Sequence, residues 1–434
     1  MSEKLFLGVA QEIITPKVGT NLYGYRPDVV STAVGDDLTA TAFYFEQAGE
    51  QAFMISVTVA SVSNDLTQEI LGEIERKTGV SADKCILHSI HTHSAPNLTG
   101  TYGWGDVDRE YYEQIFLPGV LKAVEKAKES VRAVTMGIGV SESYVGINRR
   151  ELRADNVVYL GQNPWGAFDP KMSVISFFDG RECVANMVHY GCHCTAAGTN
   201  YEISRDWAGV TCDMLSEVSG GVTAFFNGPE GDVGPRLANG LTVGYQHVRY
   251  AWEHGAIGGR DAVNTYKSIR GKSSDVKLKV STKTICVPLE PRISREQAQE
   301  GYAKFNGNTV NLEGAKRKYY EDVLASYSEG YVDAKTKQFK QTIIKIGDVV
   351  FLSFPYELFS EIGLRIAREG IAPHCLSLSN TNGSEGYFVS QDQICRGGYE
   401  IDMFKTGRLQ PYADDADFYL IKESINHLKE VVKE

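Results

Sequence analysis

The spacing of apolar and polar positions changes period several times along the chain, and each change marks an element. Residues 5–14 read as a strand closed by Thr15-Pro16. Thr39–Glu46 and Ala52–Val59 read as two more strands, with Ala48-Gly49-Glu50 as their turn. The period then lengthens: Leu66, Ile70, Leu71 and Ile74 recur at helical spacing, and Gly79 is a natural C-cap, so a helix is expected over residues 64–78. A strand follows in Ile86-Leu-His-Ser-Ile-His-Thr-His-Ser-Ala-Pro96, where Pro96 has no N–H to give a ladder. Strand–helix–strand order predicts an α/β sheet with these strands parallel, and a ligand site at a strand's carboxyl end.

Further on, Tyr111–Val131 has helical spacing broken or kinked at Pro118, and Val134–Val140 reads as a strand. Gly146-Ile-Asn-Arg-Arg150 reads as a turn that throws a polar cluster outward. Met172–Phe178 and Cys183–Tyr190 form a hairpin pattern around Asp179-Gly180. A helix is expected over Trp207–Glu217, a strand over Val222–Phe226, a Gly-interrupted helix over Gln246–Ile269, and a strand pair over Asp275–Pro288. The charged stretch 294–326 reads as a peripheral helix, and Phe339–Ile346 with Val349–Phe354 as a second hairpin. Pro355-Tyr-Glu357 is expected to open a helix to about Glu369; Leu376–Leu378 is a strand and Phe418–Val432 the closing helix. No repeat or linker interrupts the 434 residues, which predicts one α/β domain with a mixed sheet core and flanking helices.

Composition narrows the function. The 42% hydrophobic and 23% charged residues are those of a soluble globular protein. A net charge of −11 with no Lys/Arg-rich run argues against nucleic acid or an anionic membrane as partner. No run approaches the length of a membrane span, and the N-terminus lacks the pattern of a signal peptide, so a cytoplasmic protein without membrane insertion is expected. The eight scattered cysteines then read as reduced thiols.

Candidate chemistry centres on three histidines in six residues. If the strand runs on, His91 and His93 share one face and His88 the other, among apolar neighbours. Two imidazoles at a strand end suit a metal or a proton relay, and two histidines with a carboxylate form a zinc set with an open position. Cys192-His193-Cys194 lacks the second pair of a zinc knuckle, and the loop Asn227–Pro235 lacks the endings of a phosphate cradle. Glu357 at a helix start has an alternative role, as a charge favoured by the helix dipole.

Several of these segments, in order, resemble the neutral (non-lysosomal) ceramidase family. His91-Thr-His-Ser-Ala-Pro96 is similar to its HTHS[GA]P signature, Asn148-Arg149 to its NR turn, and His189-Tyr-Gly-Cys-His193 to the segment carrying its second zinc histidine. Gly231-Asp-Val-Gly-Pro235 resembles its GDVSP loop, Pro355-Tyr-Glu357 its PGE motif, and Tyr387 and Tyr399 two functional tyrosines. The resemblance implies that His91, His193, Glu357 and Tyr387 hold zinc, and that His93, Arg149 and Tyr399 orient the substrate and stabilise an oxyanion. Two departures stand out. The loop serine assigned as nucleophile is Gly234 here, so metal-activated water is the natural substitute, with Glu230, Asp232 or His93 handling protons. The other concerns length: the 434 residues are expected to form a single catalytic domain of this type, without the family's C-terminal immunoglobulin-like domain. The expected function is therefore zinc-dependent hydrolysis of an amide or ester in a small polar substrate. The alternatives are ceramide N-deacylation by a serine-independent route, a carbohydrate-active zinc enzyme in which Trp104 and Trp165 stack on sugars, and a non-catalytic metal-binding homologue. A long apolar channel would favour ceramide, and a short polar cup the first or third reading.

Overall fold

A computed structural model describes residues 4–245, 247–305 and 307–433. The first residue of the helix expected from Gln246, and the termini Met1–Glu3 and Glu434, lie outside the described residues.

Three sheets form the core, and each contains one parallel strand pair. In the first, Glu50–Val57 lies parallel to Cys85–Ser89, joined through the helix Asn64–Thr78, while Phe6–Ile13 and Thr39–Gln47 add antiparallel neighbours. In the second, Glu182–Tyr190 lies parallel to Val222–Asn227 through the helix Asp206–Ser219. In the third, Val349–Ser353 lies parallel to His374–Leu378 through the helix Ser360–Arg368. Parallel neighbours need a crossover, and a helix supplies it in each case. The α/β class with mixed sheets is thus the observed one.

The inner faces of the three sheets meet in one apolar cluster that includes Phe43, Met54, Phe177, Met187, Phe226, Phe351 and Leu378, all buried. Phe226 links the layers, its ring 5.9 Å from Phe43 and 6.5 Å from Phe351. This packing aligns the carboxyl ends of the parallel pairs. The segments that leave them carry His91 and His93 after Ser89, His193 after Tyr190, Glu230 after Asn227, Glu357 after Ser353 and Tyr387 after Leu378.

Where the elements differ from expectation, the cause is local. The helix Asn64–Thr78 ends as expected, with Gly79 at φ 73°. Pro118 does not end its helix; it sits in the first turn of Leu117–Glu129, directly after one π-helical turn over Tyr112–Phe116 that absorbs the missing N–H. Residues 146–152 form a strand rather than a turn, and Asn148, Arg149 and Arg150 point into buried surroundings instead of outward. Residues 275–288 give one strand, Leu278–Pro288, not a pair, because its whole length is matched by Thr336–Ile346. Residues 294–326 hold two helices, Arg295–Ala303 and Asn311–Ser328. Glu357 does not open a helix: Glu357–Leu358 is a two-residue strand parallel to Tyr387–Phe388, and the helix begins only at Ser360. The helix-dipole explanation of Glu357 therefore falls away.

Candidate active site

The histidine strand stops at Ser89, short of the expected Pro96. Alternation along a strand therefore does not align His91 with His93. A sharp turn does. His91 takes φ 67°, a left-handed conformation that costs a non-glycine residue on the order of 1–3 kcal/mol. The turn is held by His91 N–H donating to the Val59 carbonyl at 3.1 Å. His88 stays behind in the core, accepting the Asn227 N–H at 2.8 Å.

Backbone carbonyls fix two tautomers. His91 Nδ1 lies 2.9 Å from the Ala60 carbonyl, and His193 Nδ1 lies 2.8 Å from that of Glu230 and 3.1 Å from that of Val233. A carbonyl only accepts, so each Nδ1 carries a proton, and in the neutral ring Nε2 keeps its lone pair. Both lone pairs face the same carboxylate: Glu357 Oε2 stands 3.4 Å from His91 Nε2 and 3.2 Å from His193 Nε2. His93 Nε2 is 3.2 Å from His91 Nε2, and donor atoms of the three histidines lie within 4.8 Å of one another. Burial works against charge on His91, but Glu357 outweighs it and raises that imidazole above its ordinary value. Burial and the nearby Arg149 charge push His193 down to about 3. Burial would raise Glu357, yet the two imidazoles hold it well below the usual carboxylate range.

With both rings neutral, two Nε2 lone pairs would face an ionised carboxylate, an arrangement that calls for positive charge between them, supplied by a proton on His91 or by a metal ion. Imidazoles anchored through Nδ1–H to backbone, together with one carboxylate, are the donor types zinc takes. The residues present therefore fit the ion. His93 is held differently. Its Nδ1 is buried without a hydrogen-bond partner among the described residues, Gly24 packs directly on its ring, and the Tyr25 ring lies edge-on at 5.1 Å.

Beside the cluster, Arg149 Nη2 donates to the Tyr387 hydroxyl at 2.9 Å and Arg149 Nε to Glu400 Oε1 at 2.8 Å. The other Glu400 oxygen accepts from Arg150 Nη1 at 2.7 Å. The Tyr399 ring stands edge-on to Tyr387 at 5.8 Å. Burial raises the phenols of Tyr387 and Tyr399, so both stay protonated donors. His91, His93, Glu357, Tyr387 and Tyr399 share a cavity of about 180 Å³ with Tyr23, Trp104, Met403 and Arg408. Among its lining residues there is no Leu, Ile, Val or Phe.

Asp232, expected near the reacting atoms, is placed elsewhere. Its carboxylate accepts from Asn148 Nδ2 at 3.1 Å, Ser360 N–H at 2.8 Å and Ser360 Oγ at 2.9 Å, and it lines a different cleft. That cleft, of about 750 Å³, is larger than the cup but contains none of the clustered histidines. Trp165 stands on its edge, 94% exposed, whereas Trp104 is buried in the cup wall. Glu230 is the carboxyl that burial raises most clearly, to about 8; Asn380 donates to its Oε1 at 2.6 Å, and its Oε2 has no hydrogen-bond partner among the described residues. Gly234 is not among the cup-lining residues, and a Cβ built on it would lie 2.6 Å from Thr242 Cβ. Sequence reasoning missed Glu400 and Arg408. Glu400 sits in an unremarked helix, and its partners lie about 250 residues away, so only Tyr399 beside it gave a signal.

The comparisons agree with this architecture. The model of the family "Neutral/alkaline non-lysosomal ceramidase, N-terminal" matches residues 6–247. No curated relative matches. The crystal structure of neutral ceramidase from Pseudomonas aeruginosa superposes with a TM-score of 0.77 at 17% identity, over 100% of this chain and 75% of that one. A structure described as ceramidase complexed with C2 gives 0.75 at 16%, over 99% and 75%. With its family model matched over more than half its length and its fold shared, this chain belongs to the neutral/alkaline non-lysosomal ceramidase family.

Proposed function

We propose that the protein is a zinc-dependent hydrolase that cleaves an amide or ester bond in a small polar substrate. The observation that carries this reading is the cup itself: about 180 Å³, walled by aromatic and polar side chains, with His91 and Glu357 in its lining and His193 held against Glu357 at 3.2 Å. Substrate-sized pockets run from roughly 300 to 1,000 Å³, so this one suits a compact molecule rather than two long acyl chains.

In this reading His91, His193 and Glu357 hold the ion, with Tyr387 beside them. When bound, zinc supplies a Lewis acid that polarises a carbonyl and acidifies water. Arg149 holds the Tyr387 hydroxyl in place, and Glu400 holds Arg149. Tyr399, a protonated phenol in the cup wall, donates to the oxygen on which negative charge develops. Burial and the two neighbouring imidazoles keep His93 neutral, and in this reading it serves as the proton carrier between water and the leaving group.

Family membership favours a second reading, hydrolysis of ceramide itself. The two separate on one assay: the zinc-loaded protein against short-chain amides and esters and against ceramides of increasing acyl length. Turnover confined to the short polar compounds supports the proposal, and a rate that climbs with acyl length overturns it in favour of ceramide.

A further inference from the structure

One cation in the cup wall has no part in the chemistry above. Arg408 lies flat against Tyr412, its Cζ 3.8 Å from the ring centroid, and its Nη2 donates to the Glu385 carbonyl at 2.5 Å. Its side chain is only 17% exposed. Nε and Nη1 are sealed inside the protein without a hydrogen-bond partner among the described residues. The carboxylate within ion-pair range, Glu385 Oε2, is 3.7 Å from Nη1, beyond hydrogen-bond reach. Glu385 is drawn the other way: its Oε1 accepts from Asn64 Nδ2 at 2.8 Å and lies 2.9 Å from Lys337 Nζ. Two cations thus share one carboxylate on this wall.

A guanidinium carries five N–H donors, and one of these is engaged. Nε and Nη1 face protein, so the Nη2 edge is the one left to a ligand, and a largely buried cation whose nearest carboxylate is shared with Lys337 is short of counter-charge, which an oxyanion would supply. The stacking on Tyr412 and the bond to the Glu385 carbonyl hold the guanidinium still, so little ordering is left for a ligand to drive. The cup is small enough that one compact molecule reaching the His–Glu cluster also meets the Arg408 wall.

We infer that Arg408 determines specificity, and that the substrate carries a carboxylate beside its scissile amide or ester. This rests on the hydrolase reading and narrows its substrate class to acidic compounds such as N-acyl amino acids or half-esters of short diacids. The carboxylate meets the guanidinium as an ion pair along the Nη2 edge, while the scissile carbonyl faces the metal-ligating set.

The test compares mono-4-nitrophenyl succinate with its uncharged analogue 4-nitrophenyl butyrate on the zinc-loaded protein and on Arg408→Gln and Arg408→Lys. The expected result is a kcat/KM at least tenfold higher for the succinate in the wild type, carried by KM. That ratio collapses toward one in Arg408→Gln and is partly restored in Arg408→Lys. Free succinate should raise the melting temperature of the wild type and of Arg408→Lys but not of Arg408→Gln. Equal kcat/KM values in the wild type, or a preference that survives Arg408→Gln, overturn the assignment while leaving the hydrolase reading intact. Hydrolysis of both esters no faster than by His91→Ala overturns the hydrolase reading and this inference with it. Should Arg408→Gln fail to fold, Arg408→Met, which keeps the length of the stem and removes the charge, is read in its place: loss of the preference and of the succinate shift supports the assignment, and their survival overturns it.

Discussion

His193 Nε2 stands 3.2 Å from Glu357 Oε2 although 164 residues separate them. Each comes from the carboxyl end of a different parallel pair, so the contact is a product of sheet packing rather than of any local motif. The Glu230 carbonyl fixes the histidine's tautomer, and the strand pairing of Glu357 with Tyr387 fixes the position of the carboxylate. Substituting Glu357→Gln keeps the shape and removes the charge. Zinc affinity, measured by competition with a chelating dye, should fall by more than the ~10–100-fold that loss of an outer partner costs. Unchanged affinity would remove Glu357 from the set.

Much of this site was legible in the sequence, for reasons that particular residues make plain. His91, His93 and His193 stood out because histidines directly after apolar strands have few structural reasons to be there. The convergence itself followed from strand–helix–strand order. What was not legible depended on distant partners. Residues 146–152 look like a turn because Asn148, Arg149 and Arg150 are polar. They form a buried strand because Asp232 and Glu400 are waiting for them. Glu357 looked like a helix start because Pro355 precedes it and an amphipathic helix follows; its pairing with Tyr387, thirty residues on, carries no local mark. Asp232 looked like a proton handler from its loop, and the structure gives its carboxylate to Asn148 and Ser360.

Glu400 is buried between two arginines, with one oxygen on each. Removing one partner of a buried charge network typically costs ~3–5 kcal/mol, because the remaining charge is left unpaired. Glu400→Ala should therefore lower the urea midpoint strongly. Glu400→Gln keeps one acceptor and should retain part of that stability, while lowering kcat more than KM through the loosened Arg149–Tyr387 contact. A stability equal to wild type in Glu400→Ala would contradict the network as described.

Gly234 lies against Thr242, whose Cβ sits 2.6 Å from the position a side chain at 234 would need. Gly234→Ser should destabilise by ~1–3 kcal/mol, the usual cost of overpacking. It should add no hydrolytic activity, because the position does not line the cup. Thr242→Gly in the same chain, which removes that Cβ, should recover part of the loss. A stable Gly234→Ser variant with new esterase activity would show that this loop reaches the reacting atoms.

His254 is buried, with Nε2–H donated to the Val145 carbonyl at 2.6 Å, and burial lowers it to about 4. The unfolded chain takes up that proton near pH 6.5, whereas the folded chain refuses it until about pH 4. The stability this histidine contributes is present above pH 6.5 and lost as pH falls toward 4. His254→Gln keeps an N–H donor and removes the titration. Its stability relative to wild type should improve by up to about 3 kcal/mol between pH 7 and pH 4. Parallel pH profiles for the two proteins would refute the assignment.

The central claim is that His91, His193 and Glu357 hold a metal ion. Elemental analysis of protein purified without added metal, and again after zinc is supplied and excess removed, tests it most directly, with His91→Ala in parallel. About one zinc per chain in the wild type, lost in His91→Ala with the circular dichroism spectrum preserved, is the predicted result. A wild-type chain that retains no metal even after loading would contradict the account.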